Sequence, residues 1–185
     1  MFAVAAAGYK ARCALEDNDA ANIRFDKLRK LIQVCPRTIH DLSRTEVGKN
    51  ALPRFNMPFE LGLAMGLKYF GGRKVRGNSA LIMVKERYAL PVYLSDLAGA
   101  DPQAHEGKPA NVVGLVTRYL KITPEGKLLP GSQFSADLFE NFKKRLPTMA
   151  QNVNRKPQEV APFHDYLAFV TMVDEFLKNA VPKVV

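Results

Sequence analysis

Apolar and polar positions in the first part of the chain follow an alternation of strand and helix patterns. Residues 2–7 form a short continuous apolar run, which is typical of a buried strand. From residue 19 to 35 apolar residues recur at helical spacing, and Pro36 ends the predicted helix. Residues 37–43 are short and contain β-branched side chains, which predicts a second strand. This order predicts a parallel βαβ unit whose first strand is central.

The same alternation continues to about residue 122. The elements it predicts are a polar loop at 44–55, a helix at 58–70, strands at 79–84 and 89–94, a polar loop at 95–109 and a helix at 111–120. Asn56 is a suitable N-cap for the helix that begins at Pro58. These elements together predict a three-layer α/β fold built around an open, mostly parallel sheet.

The last third of the chain carries only helical patterns. Helices are predicted from Gln133 to Leu146, with Pro147 starting a separate short one, and at 162–179. The inward side chains of the last helix are predicted to be Phe163, Tyr166, Leu167, Phe169, Val170, Val173, Phe176 and Leu177. We therefore expect an α/β domain at 1–122 and a helical extension at 123–185 that packs as part of a single structural unit.

The composition of the chain bears on the number of domains, the size of the core and the presence of membrane or metal-binding segments. The chain has 185 residues, which fits one domain, and 47% of them are hydrophobic, which can supply a core. No run reaches the ~18 apolar residues that span a bilayer, and the first eight residues are too short for a secretory leader, so we expect a cytoplasmic protein without membrane contact. With two cysteines and three scattered histidines, no metal or cofactor is expected.

The charge indicates an anionic partner. The chain has 27 Lys and Arg against 18 Asp and Glu, a formal net charge of +9. Of this excess, +7 lies in residues 1–100, which contain 16 basic and 9 acidic residues. Nucleic acid, an acidic membrane surface or a phosphorylated small molecule would each satisfy that charge. Nucleic acid ranks lowest, because the chain shows no recognised motif and few aromatic residues among its Lys and Arg.

Ligands of open parallel sheets bind beyond the carboxyl ends of the strands, so the residues that follow the strands are the candidates for a site. Asp41 ends the second predicted strand, and Glu60 lies in the first turn of the next predicted helix. Two carboxylates can stabilise or trap the oxocarbenium-like sugar formed when a glycosidic bond breaks. The predicted substrate-binding residues around them are Gly8, Tyr9, Lys10, Arg12, Ser43, Arg44, Arg54 and Asn56.

The same residues also have structural explanations. A helix dipole favours a Glu in the first turn, and an Asp at a strand end can cap a turn. His40 is interpreted as a packed strand residue, and its side chain points away from that of Asp41 because strand residues alternate. We assign no role to His105 or His164.

The order of elements, with Ile39-His-Asp-Leu-Ser43 and Phe59-Glu-Leu-Gly-Leu-Ala-Met-Gly66, resembles a known superfamily. Its members are the nucleoside 2-deoxyribosyltransferases and the TIR (Toll/interleukin-1 receptor)-like NAD hydrolases. The resemblance covers about residues 1–95 and implies a flavodoxin-like sheet. It implies that Glu60 is the catalytic nucleophile or stabiliser and that Asp41 is the strand-end aspartate.

Two functions are therefore expected as alternatives. The first is cleavage or transfer at the N-glycosidic bond of a nucleoside, nucleotide or NAD-like substrate, with Asp41 orienting the sugar hydroxyls and Lys10, Arg12 and Arg44 contacting phosphate. The second is a non-catalytic module for nucleotide sensing or TIR-like assembly. A homo-oligomer is expected in both cases, since the resemblance implies shared sites and the apolar face of 162–179 needs a core or a partner.

Overall fold

The computed structural model describes residues 1–44, 55–87, 90 and 92–180. Their helices and strands are α1 Phe2–Ala6, α2 Arg24–Val34, β1 Arg37–Asp41, α3 Asn56–Phe70, β2 Ser79–Val84, β3 Gln103–Ala104, α4 Pro109–Leu120, α5 Ser132–Asn152 and α6 Tyr166–Ala180. Two short 3₁₀ segments lie at Ala14–Glu16 and Val92–Leu97. The predicted class, mixed α/β with a parallel sheet, is confirmed.

The chain divides into two compact units. The sheet unit is Asp19–Pro109, and the helical unit combines Met1–Asn18 with the chain from Ala110 onward. This division differs from the predicted boundary after residue 122. The physical reason is that α1 packs against α5 and α6, and that the Ser132 hydroxyl of α5 donates a hydrogen bond to the Gly114 carbonyl oxygen of α4.

In the described part of the sheet unit, three parallel strands pair in the order β1-β2-β3. Asp41 of β1 lies opposite Met83 of β2, which in turn lies opposite Gln103 of β3. The Leu42 amide continues the ladder by donating to the Met83 carbonyl oxygen over 2.8 Å. The three strands therefore end together at one edge, here called the carboxyl edge.

Helix α3 covers one face of this sheet. Leu42, Val84 and Leu61 form a buried cluster, and Met57 and Ala104 pack against it. Because side chains alternate along a strand, Asp41, Met83 and Gln103 lie on the opposite face. Leu42 follows β1 directly and Val84 ends β2, so the cluster that they form with Leu61 places the N-terminal half of α3 at the carboxyl edge.

The first predicted strand is wrong, because Phe2–Ala6 is a helix. Periodicity does not separate a short buried strand from a short buried helix, and the run is rich in Ala, which has the highest helix propensity. The burial of Phe2, Ala3 and Ala7 agrees with the apolar pattern. The parallel pair therefore forms between residues 37–41 and 79–84, with α3 as its crossover.

The predicted fourth strand is also wrong where the structure describes it. Val92–Leu97 is 3₁₀ in character with a kink at Leu94, while Ala89 and Pro91 lie outside the described residues. The third strand is instead Gln103–Ala104, inside the segment predicted as a polar loop. Two residues are too few to produce a strand pattern, so the hydrogen bonds of β2 define this strand.

The helical unit has an aromatic core. Phe142 is 1% exposed, and its ring centroid lies 5.2 Å from that of Phe2 and 5.4 Å from that of Phe176. Phe142 and Ala150 are buried on either side of Pro147, and this packing accounts for why α5 continues through a proline predicted to interrupt it.

The inward face of the last helix is confirmed in part. Its buried side chains are Phe169, Met172, Val173 and Phe176. Phe163 and Leu167, predicted to face inward, are exposed, because residue 163 precedes the first turn of α6 and residue 167 lies off the buried stripe. No described helix combines the length and the apolar character needed to cross a bilayer.

Gly71, which ends α3, supplies a first test of the fold. A Cβ atom at this position would overlap the Leu67 carbonyl oxygen and the Val75 side chain, whereas a Cβ at Gly72 would meet nothing within 4 Å. We expect Gly71→Ala to lower the free energy of unfolding by about 1–3 kcal/mol, and Gly72→Ala to change it little. Urea denaturation of the wild-type protein and both variants measures these free energies of unfolding. Equal stability of the two would contradict the packing described for this turn.

Candidate functional site

Two polar side chains meet at the carboxyl edge on the face away from α3. Asp41 ends β1, and His105 follows β3 directly. The Nε2 atom of His105 lies 3.3 Å from the Oδ1 atom of Asp41. The ring of His105 is buried, whereas the Asp41 carboxylate is partly exposed. Asp41 therefore presents a carboxylate to solvent from a fixed position.

The hydrogen bonds around His105 determine its tautomer. The Gly107 amide donates to the Nδ1 atom of His105 over 3.0 Å, so this nitrogen carries no proton in that arrangement. In the neutral ring the proton is then on Nε2, which donates to Asp41. The turn is tight, since Glu106 and Gly107 have φ angles of 57° and 69°. The turn after β3 thus holds the histidine in the orientation that serves Asp41.

Asp41 also caps a turn, as one of the sequence interpretations proposed. Its Oδ1 atom accepts a hydrogen bond of 3.0 Å from the amide of Ser43. Ser43 is partly buried and Arg44 is exposed. Both predicted binding residues therefore lie beside Asp41 in the chain, at the carboxyl edge.

Glu60 is held between α2 and α3. Its side chain is 14% exposed, and its Oε1 atom lies 3.8 Å from the Nη2 atom of Arg24. Burial raises the pKa of Glu60, and the Arg24 guanidinium acts in the opposite direction. Since α3 begins at Asn56, Glu60 is beyond the first turn in which the helix dipole favours an acidic residue. The helix dipole therefore does not account for a Glu at position 60, nor for the burial of its carboxylate.

The two candidate carboxylates have different partners. Asp41 contacts His105, while Glu60 contacts Arg24. Asp41 lies on the sheet face opposite to the one that α3 covers. A ligand that touches both side chains must therefore lie beyond the ends of the strands, across the carboxyl edge, and not over either face of the sheet.

The chain matches no known family model, no curated protein and no solved structure. The superfamily resemblance therefore rests only on the sequence segments 39–43 and 59–66 and on the order of the predicted elements.

The predicted binding residues near the N-terminus belong to the helical unit. Gly8, Tyr9, Lys10 and Arg12 follow a helix and not a strand, so the premise that they flank a strand end is wrong. The Tyr9 hydroxyl donates to the Ile122 carbonyl oxygen over 2.9 Å. The Arg12 guanidinium is paired with Glu16. Both side chains thus have structural contacts within their own unit.

Two further predictions concern the start of α3. Asn56 is the first residue of this helix, and Phe55 occupies the N-cap position predicted for Asn56, without a side-chain hydrogen bond. Arg54 and most of the predicted binding loop, residues 45–54, lie outside the described residues.

Sequence reasoning missed His105 and Arg24. His105 follows a strand of two residues in a segment that looks like a polar loop, so the strand-end rule could not select it. Arg24 begins a helix whose charged residues resemble an ordinary solvated face. Within the part of the chain that the structure describes, no three His, Cys, Asp or Glu side chains converge as metal ligands would.

Proposed function

We propose that the protein cleaves or transfers the N-glycosidic bond of a nucleoside, nucleotide or NAD-like molecule. The observation that carries this proposal is the position of Glu60: a largely buried carboxylate near the N-terminal end of α3, which lies at the carboxyl edge of a parallel sheet. Glu60 acts as the nucleophile or as the stabiliser of the oxocarbenium-like sugar. The superfamily resemblance supports the same role.

The environment of Glu60 suits this chemistry. A developing positive charge on the sugar is stabilised best by a fixed carboxylate that water solvates poorly, because a low local dielectric strengthens their attraction. Arg24 favours the ionised form of Glu60 against the desolvation that raises its pKa. The pair therefore places a carboxylate and its counter-charge together in a largely buried position.

Asp41 binds the sugar hydroxyls in this proposal. Its free lone pairs accept hydrogen bonds, while Ser43 and His105 hold it in place. Arg44 contacts phosphate from the neighbouring position, where an exposed guanidinium can form charge-assisted hydrogen bonds. We also propose the finer architecture that the resemblance implies, a flavodoxin/TIR-like sheet, and a homo-oligomeric state.

The test is base release. Purified protein is incubated with NAD, nucleoside monophosphates and nucleosides, and free base is followed by chromatography. We expect release from at least one of these compounds. Absence of release from all of them would overturn the proposal, and nucleotide-induced thermal stabilisation without product would favour the sensing or assembly function instead.

His105 supplies a prediction for this reaction as a positioning residue. Gln at this position can still donate a hydrogen bond to Asp41, whereas Leu of similar size cannot. We expect kcat to fall about tenfold in His105→Leu, the cost of one lost hydrogen bond to a charged group, and to be largely retained in His105→Gln. Equal losses in both variants, at unchanged thermal stability, would show that the hydrogen bond to Asp41 has no part in catalysis.

A further inference from the structure

Two aromatic rings lie next to the Arg24–Glu60 pair. Phe25 follows Arg24 on α2, and Phe59 precedes Glu60 on α3. Their ring centroids are 6.1 Å apart, with an interplanar angle of 42°. The N-terminal parts of the two helices thus meet through an ion pair and, one residue away on each helix, through an aromatic pair.

Both rings are accessible. Phe25 is 44% exposed and Phe59 is 53% exposed, although a ring of this size gains most free energy when it is covered. Two further large apolar side chains at the same helix ends, Ile23 and Phe55, are also exposed. Phe25 and Phe59 together form an exposed aromatic surface, here called the aromatic ledge, next in sequence to Arg24 and to the largely buried carboxylate of Glu60.

The neighbours of the aromatic ledge indicate what covers it. An ordinary protein interface needs no buried carboxylate at its border. A molecule that carries a planar ring joined to a sugar needs both, since the ring stacks on aromatic side chains while the sugar carbon lies one bond away, toward the carboxylate.

We propose that Phe25 and Phe59 are the base-binding subsite, on which the planar heterocycle of the substrate stacks. This inference rests on the proposed function, because it places the leaving base of the same reaction. It assigns the substrate class to aromatic heterocyclic glycosides. Stacking on a π face tolerates several bases, so we expect modest discrimination between purines and pyridines.

The test compares a ligand with and without its base. Binding of AMP and of ribose 5-phosphate to the wild-type protein is measured by calorimetry. We expect the wild-type protein to bind AMP more tightly than ribose 5-phosphate. Phe25→Leu and Phe59→Leu should each weaken AMP binding by about tenfold and leave the affinity for ribose 5-phosphate unchanged. Phe163→Leu is the matched control: Phe163 is 79% exposed in the other unit, so its replacement should leave both affinities unchanged.

The failure of this inference is distinct from the failure of the proposed function. Equal affinity for AMP and ribose 5-phosphate, or AMP affinity unchanged in both ledge variants, would overturn the subsite even if the protein releases base. AMP binding that depends on both rings, without base release from any compound, would support the subsite and overturn the catalytic proposal. A change in oligomeric state in the ledge variants, with AMP affinity unchanged, would show that the ledge binds a second copy and would also overturn the subsite.

Discussion

Replacing Glu60 with Gln is expected to lower the rate of base release by at least about a hundredfold without unfolding the protein. Removing one preorganised group that stabilises transition-state charge typically costs about 10²–10³ in kcat. The fold should tolerate the change, because burial raises the pKa of Glu60 and a neutral side chain avoids that desolvation penalty. Chromatography of released base gives the rate, and thermal denaturation of the same preparation gives the melting temperature.

Glu140→Gln is the matched control for this variant. Glu140 is partly exposed on α5 and pairs with Lys143 over 3.0 Å, so the same chemical change there should leave base release unaltered. Base release by Glu60→Gln at the wild-type rate would exclude Glu60 as nucleophile or stabiliser. Loss of activity together with a lowered melting temperature would contradict the expectation that the neutral side chain fits this site.

His40 should make the stability of the protein depend on pH. Its side chain is buried, and neither ring nitrogen has a hydrogen-bond partner among the described residues. Burial lowers the pKa of His40 from 6.5 to about 4. Between these two values the unfolded chain binds a proton that the folded chain does not, so stability is full above about pH 6.5 and falls as the pH approaches 4.

The expected loss from this group is about 2 kcal/mol between about pH 7.5 and pH 5. Urea denaturation at the two pH values should show this loss in the wild-type protein and its absence in His40→Leu, after subtraction of the pH dependence that both share. His164→Leu, at an exposed histidine, should keep the wild-type slope. The same pH slope in His40→Leu as in the wild type would contradict the assignment, as would a protonated His40 ring in an NMR titration at about pH 5.

The elements that could be predicted from sequence are those whose pattern is set by their own side chains. Helix α3 has a turn-forming start and a Gly-Gly end, and β1 and β2 are short runs of strand-forming or apolar residues, so the predicted bounds of each lie close to the observed ones. The prediction for the N-terminal run failed because burial alone determines its apolar character, and a helix and a strand bury it equally well.

The candidate site was accessible to sequence reasoning only in part. Asp41 and Glu60 stand at positions that a strand-end rule selects. Asp41 ends β1 at the carboxyl edge, and Glu60 precedes Leu61, which packs there. His105 and Phe25 depend on which strands and helices become neighbours, which only the tertiary hydrogen bonds and packing determine. The role proposed for Phe59 likewise has no sequence signal, because an aromatic residue in an apolar helix looks like part of the core until its exposure is known.

The most direct test of the central claim is a crystal structure of Glu60→Gln with the nucleotide that the wild-type protein cleaves fastest. The claim is that residue 60 faces the anomeric carbon of a substrate bound across the carboxyl edge. It predicts a distance of about 3–3.5 Å from the side chain of residue 60 to that carbon, as near-attack geometry requires. A substrate bound elsewhere, or with its anomeric carbon beyond van der Waals contact with residue 60, would contradict the account.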